Sequence, residues 1–180
     1  MQTTKDYPKR KGLKSGVRTE FTVFANLKPG HDKAVRETIQ EYGSHPGRLE
    51  AIRALSILHE ARFVVFDNGT RLLFCSSFDG SWDKYIEDAS TTIIATLFDA
   101  VWSHTEGYPG MADLDRVKDW FMSHAVEAVS FTSDYPDVTV KEIGKALAVQ
   151  QAFQQVLDDP EAEQVLKSPV LKPLLNQAAT

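Results

Sequence analysis

The chain has 180 residues, 42% hydrophobic and 10% aromatic, which is enough for one globular domain with its own core and unlike a disordered segment. Its single cysteine, Cys75, excludes an internal disulfide and a cysteine-based zinc site within one chain. The formal net charge of −5 is uneven: residues 1–18 carry Lys5, Lys9, Arg10, Lys11, Lys14 and Arg18 against Asp6, a net of +5, which leaves −10 on the remainder.

Residues 1–18 therefore read as a basic N-terminal arm. It has no apolar core of the kind a secretory signal needs, and no later apolar run approaches a membrane span. A soluble, cytoplasmic protein is the expectation. The arm could touch nucleic acid or anionic lipid, or it could simply be solvated. The acidic body, with no basic face, argues against nucleic acid as the main partner.

Residues 19–158 are expected to form the folded domain. Thr19–Leu27 alternates, with Phe21, Val23, Ala25 and Leu27 on one face and Thr22, Phe24 and Asn26 on the other, as in a half-buried strand. His31–Tyr42 has helical spacing at Val35, Ile39 and Tyr42, with Gly43 as its stop. Arg48–Leu55 is either a short helix or a loop with one turn.

The stretch from Ile57 to Asp88 is the most informative. Asn68-Gly69 between two apolar runs favours a type I′ hairpin, because both residues accept positive φ. Centring the turn there pairs Phe66 with Arg71, Val65 with Leu72, Phe63 with Phe74 and Ala61 with Ser76. One face then carries His59, Ala61, Phe63, Val65, Leu72, Phe74, Ser76 and Phe78, and should lie against helices. The other carries Glu60, Arg62, Val64, Leu73, Cys75 and Ser77.

Asp79 or Ser81 can cap a long helix over about Trp82–Ser103, whose inward stripe includes Ile86, Ile93, Leu97, Ala100 and His104. Asp113 caps a shorter helix to about His124, with Val117, Trp120 and Phe121 inward. Val126–Tyr135 alternates again and reads as a strand. Thr139-Val-Lys-Glu142 is a capping box that opens a helix to about Leu157, and Asp159-Pro160 ends it. Residues 159–180 are a weakly helical or docked tail.

The predicted class is α+β: a ferredoxin-like βαββαβ unit with a four-stranded antiparallel sheet and extra helices. Helices cover only one face of such a sheet. The other face combines Glu60, Arg62, Cys75, Ser77, Thr22 and Asn26 with Phe24, Val64 and Leu73, a mixture that suits a pocket better than open water.

This order of elements resembles the dimeric α/β-barrel superfamily, which includes antibiotic-biosynthesis-type monooxygenases, chlorite dismutases and dye-decolourising peroxidases. More narrowly, ILHEARFVVFDNGTRLLFCSSFDGSWDKYIED is similar to a bacterial group in which an IHFARW strand pairs with LLFxSNYDGSWESYLDDF. The likeness rests on His59, Ala61, Arg62, Leu72, Leu73, Phe74, Asp79, Gly80, Ser81, Trp82 and Tyr85. FTSDYPDVTVKEI is similar to that group's FYSAYPGLTVRDI. Glu60 and Ser77 replace the group's Phe and Asn, so the pocket here should be more polar. Ser76-Ser77-Phe78-Asp79-Gly80 keeps only the Asp-Gly of the peroxidases' G-x-x-D-G, so the resemblance assigns no distal catalytic role to Asp79.

The resemblance implies a homodimer with a lined barrel interior, acting oxidatively on a small, partly apolar molecule with haem or with no cofactor. His59 would handle protons and Arg62 would anchor an anion; alternatively His59 is buried on a backbone hydrogen bond and Arg62 is paired with Glu60 or Glu20. Glu60, Cys75, Ser77, Asp79 and Trp82 are candidate substrate contacts. Asp79 to Trp82 could instead be a helix cap and a packed ring, and Cys75 an inert buried thiol unless a cation lowers its pKa. His104, and after it His124, are candidate haem ligands, each also explained by its place at a helix C-terminus. The chain has no G-x-S-x-G, P-loop, G-x-G-x-x-G or H-E-x-x-H, so hydrolase, nucleotide and zinc-protease chemistry are unsupported. The alternative function is a ligand-binding or dimerisation module without catalysis.

Overall fold

The computed structural model describes residues 14–178. Most of the predicted N-terminal arm lies outside the described residues. Its last part does not: Lys14–Ser15 forms β1, which turns at Gly16 and pairs antiparallel with β2, Arg18–Asn26. Helix α1 spans Asp32–Ser44 and runs through Gly43; the chain becomes extended at His45, ahead of Pro46. Helix α2 spans Arg48–Leu55.

The hairpin follows as β3, Leu58–Phe66, and β4, Arg71–Asp79. Its register is the predicted one, with Phe66 opposite Arg71, Val65 opposite Leu72, Phe63 opposite Phe74 and Ala61 opposite Ser76. Asp67, Asn68 and Gly69 all hold positive φ, so the left-handed residues begin one position before the predicted Asn-Gly pair. A bulge between Leu58 and Glu60 breaks the regularity of β3 at its start.

The long helix predicted over Trp82–Ser103 is two helices, α3 (Trp82–Ser90) and α4 (Ile93–Trp102). Ser90, Thr91 and Thr92 each turn a hydroxyl back onto a carbonyl of the preceding turn, at Glu87, Asp88 and Ala89. Side chains that compete in this way for backbone groups favour a helix end. Thr92 then caps the new helix, accepting the Ile94 N–H at 3.1 Å. Ser81 caps α3 and Asp113 caps α5, Leu114–His124, each as predicted.

The stretch predicted as a strand over Val126–Tyr135 is a strand only at Ala125–Val126, β5, paired with Val23 and Thr22. The reason is competition for one edge. Continuing along β2 would bring β5 to Thr19 and Arg18, where Lys14 and Ser15 of β1 are already paired. The chain leaves the sheet at Glu127. The Ala128 N–H donates to the Glu20 carboxylate at 3.4 Å instead of to backbone. The far end of this strap is held where the Val17 N–H donates to the Pro136 carbonyl at 2.9 Å.

Among the described residues the sheet has five strands, all pairs antiparallel, in the order β1-β2-β4-β3 with β5 beside β1 on the edge of β2. The class is therefore α+β with an antiparallel sheet that has one strand more than predicted and is still four strands across, because β1 and β5 share an edge. One face is covered by helices over a core in which Val23, Leu72, Phe74, Phe78, Val101, Trp102 and Phe121 are buried. Phe74 sits 5.0 Å from Phe98 and 6.2 Å from Trp102, ring centre to ring centre, and Phe78 stacks on Tyr85 at 4.3 Å. Such pairs add directional preference to area burial.

The chain divides into two compact units after Val140. The second unit contains almost all of α6 (Val140–Leu157), a 3-10 turn at Pro160–Ala162, α7 (Glu163–Leu166), a second 3-10 turn at Pro169–Leu171 and α8 (Lys172–Ala178). No side chain of these helices is buried. Among the described residues no helix is long and apolar enough to cross a membrane.

Gly16 tests the pinning of the strap. It holds φ +61, and a Cβ there would meet the Pro136 carbonyl. Gly16→Ala should therefore cost about 1–3 kcal/mol of stability, read as a lowered urea midpoint with an unchanged m-value.

Candidate functional site

The helix-free face of the sheet is ordered in rows. Register places Glu20, Ser77 and Glu60 side by side on β2, β4 and β3, then Thr22, Cys75 and Arg62, then Phe24, Leu73 and Val64. The first two rows are polar and the third is apolar. The strap overhangs one side of the polar rows and forms with them an open cavity of about 440 Å³, lined by Glu20, Thr22, Glu60, Arg62, Cys75 and Ser77 from the sheet and by Ala128, Ser130 and Phe131 from the strap. Glu60 and Arg62 lie on an edge strand and also line a hollow of about 360 Å³ toward α1 and α2. A third hollow, of about 320 Å³, continues under the strap past Arg18 and Tyr135.

Glu20 is the most enclosed charge in the cavity, at 7% exposure. Its carboxylate accepts from the Thr22 hydroxyl at 3.0 Å and from the Ala128 N–H. Among the described residues no cation pairs with it. The Thr22 hydroxyl also lies 3.5 Å from the Cys75 sulfur. Ser77 is 9% exposed, lines the cavity, and its hydroxyl has no hydrogen-bond partner among the described residues. Arg62 is exposed, and its guanidinium likewise makes no ion pair among them. A guanidinium has five donors in a fixed fork that matches a carboxylate, so Arg62 is equipped to hold an anion at the cavity rim.

Four of the sequence-predicted residues thus meet at one site: Glu60, Arg62, Cys75 and Ser77. Four others stand elsewhere. His59 was expected on the helix-facing side of a regular strand. The bulge at Leu58–Glu60 changes its direction, and its Nε2 bonds Asp79 Oδ1 at 2.7 Å, with both side chains nearly enclosed. The other Asp79 oxygen accepts the Val140 N–H at 2.8 Å. Both oxygens of Asp79 are thus occupied within the protein, and neither Asp79 nor His59 lines the strap-covered cavity. Ser77 makes no hydrogen bond to His59, so no triad forms. Trp82 is a core residue, 3% exposed, with its ring 5.5 Å from Phe21.

His104 lies beyond the end of α4 and has both ring nitrogens engaged: Nδ1 is 2.9 Å from His31 Nδ1, and Nε2 is 3.0 Å from the Thr38 hydroxyl. The Nδ1 of His124 lies 2.8 Å from the Trp120 carbonyl, and its ring stacks on Trp120 at 4.2 Å. Neither lines the strap-covered cavity. His104 has no ring nitrogen left for an axial metal bond, whereas His124 bonds only through Nδ1 among the described residues. His104 joins the end of α4 to the start of α1, and His124 bonds within α5.

Two parts of the site escape the sequence reading. Glu20 is on the polar face by simple alternation with Thr22. The strap residues Ala128, Ser130 and Phe131 were hidden by the assumption that alternation over 126–135 means pairing. Comparison with family models, curated proteins and solved structures finds no match for this chain.

The His31–His104 contact carries a pH dependence. Partial burial, His31 and Lys28 all lower the pKa of His104 from the usual 6.5. The unfolded chain then binds a proton more readily than the folded one, so stability rises with pH through this window. The contribution is present above 6.5 and is lost as the pH falls through the lower folded value. Denaturation free energies measured across this range should decline toward acid, and His104→Asn should make the decline shallower.

Proposed function

We propose that this is a small-molecule-binding protein whose ligand occupies the sheet-face cavity beneath the strap, with an anionic group on Arg62 and its apolar part against Phe131. The observation that carries the reading is the unpaired guanidinium at the rim of a cavity of about 440 Å³ that has polar groups on its floor and an aromatic wall. Pockets of this size with a few convergent polar groups are the usual form of small-molecule sites.

The strand order β5–β2–β4–β3 supports the ferredoxin-like arrangement, and with it the likeness to dimeric α/β barrels. The open row of Phe24, Leu73 and Val64, of which Val64 is 41% exposed, is where the sheet of a second copy would lie in such a dimer. Oxidation of the bound molecule by dioxygen without a cofactor is the second reading. The observation that favours it is Glu20, a buried carboxylate on the cavity wall that can accept a proton from a bound molecule. Haem chemistry through His104 is set aside because both its ring nitrogens are engaged, and neither His104 nor His124 lines this cavity.

A calorimetric screen of small monocarboxylates with apolar bodies, such as benzoate and 3-phenylpropanoate, tests the main reading. Arg62→Ala should weaken the tightest of them at least about tenfold. Because Arg62 is exposed, the melting temperature should stay near that of the parent protein. Equal affinity in the variant would remove Arg62 from the site.

A further inference from the structure

We propose that the ligand of this cavity is a zwitterion, an amino-carboxylate whose ammonium sits over Ser77 between Glu20 and Glu60 while its carboxylate reaches Arg62. This rests on the reading that the cavity binds a small anionic molecule, and it names the class of that molecule.

The argument begins with the row Glu20–Ser77–Glu60. Adjacent strands lie about 4.8 Å apart, so the backbones that carry the two carboxylates are separated by roughly 10 Å, with Ser77 midway. The Glu20 carboxylate is almost fully enclosed and accepts only a hydroxyl and a peptide N–H. An ionised carboxylate has room for about four donors, and a buried one without a cation is costly. Glu60 also has no ion-pair partner among the described residues, although it shares the cavity wall. Ser77 adds a third acceptor, on a residue 9% exposed, with no hydrogen-bond partner for its hydroxyl among the described residues. Three acceptor groups along this row of the cavity wall match in number the three donors of a primary ammonium.

The neighbouring row supplies the other half. Arg62 stands one row along, a displacement of about 7 Å on the strands. Its guanidinium is the cationic side chain on this cavity wall, against two carboxylates. A simple acid would satisfy Arg62 and leave Glu20 and Glu60 without a cation. A simple amine would do the reverse. A zwitterion satisfies both rows at once and brings no net charge into the cavity. Phe131 and Ala128 of the strap overhang the floor and offer an apolar surface to the ligand's side chain.

The test is calorimetric, on the full chain. The twenty protein amino acids are titrated, and each binder is then compared with its decarboxylated amine and its deaminated acid. For L-phenylalanine these are phenethylamine and 3-phenylpropanoate. At least one amino acid should bind at least about tenfold tighter than either of its singly charged analogues. Glu60→Gln, an exposed position whose variant should melt like the parent, should weaken the amino acid and the amine and leave the acid within about twofold. Arg62→Ala should weaken the amino acid and the acid and leave the amine. If the acid binds as tightly as the amino acid and Glu60→Gln changes nothing, the zwitterion is overturned and anion binding at Arg62 stands. If none of the twenty binds, the zwitterion is overturned and the monocarboxylate screen decides the wider reading. If monocarboxylates also fail to bind, both are overturned.

Discussion

The edge of a β-strand holds one neighbour at a time, and in this protein two segments want the same edge. β1 takes β2 at Arg18 and Thr19; β5 takes it at Thr22 and Val23. The gap between them is too short for β5 to continue. Its backbone finds other partners, in water along its exposed residues and within the protein at half-buried Ala128. It finds the Glu20 carboxylate at Ala128, and the chain rises over the sheet before returning to the β1–β2 turn at Pro136. The strap, the cavity beneath it and the burial of Glu20 all follow from that shared edge. Without β1, β5 could extend and the polar face would lie open.

A second consequence concerns which groups are free to act. The bulge at the start of β3 brings His59 to Asp79, and Asp79 also takes the Val140 N–H. These groups look chemical in the sequence, yet their hydrogen-bonding capacity is largely spent inside the protein. His104 is spent in the same way on His31 and Thr38. What distinguishes Arg62, Glu60 and Ser77 is that their capacity is unspent while they face a cavity. Ser77 is nearly enclosed, whereas Arg62 and Glu60 stand exposed at the rim, and all three remain available to a bound molecule.

The hairpin was legible residue by residue because two independent signals agreed. Asn68-Gly69 marked the turn, and alternation on both sides fixed which residues face which, so a one-residue slip would have exposed Phe63, Leu72 and Phe74. That register alone placed Glu60, Arg62, Cys75 and Ser77 on a common face. The failures came where a pattern was right but its partner was wrong. Alternation over 126–135 is compatible with pairing, but it cannot say that β1 already holds the edge. The inward stripe predicted over 82–103 holds at Ile86, but Ser90, Thr91 and Thr92 spend their hydroxyls on the backbone and divide the helix, and after the break the core side is Ile94, Phe98, Val101 and Trp102, with Ile93 and Ala100 exposed. The bulge before Glu60 has no Gly or Pro to announce it, and with it went the direction of His59.

The division of the sheet face into polar and apolar rows explains why both can persist on one surface. Side chains on neighbouring strands stand close enough to interact along a row, while successive rows are displaced by two residues. The row of Phe24, Leu73 and Val64 gains by excluding water, and Arg71 lays its guanidinium over Phe24 and Phe66 at its far side. That apolar band lowers the local dielectric on one flank of Arg62, and the strap does so above it. A charge pair formed between those two surfaces is stronger than the same pair in open water. On the proposed reading, a ligand carboxylate on Arg62 would fall at the boundary between the two halves of the face.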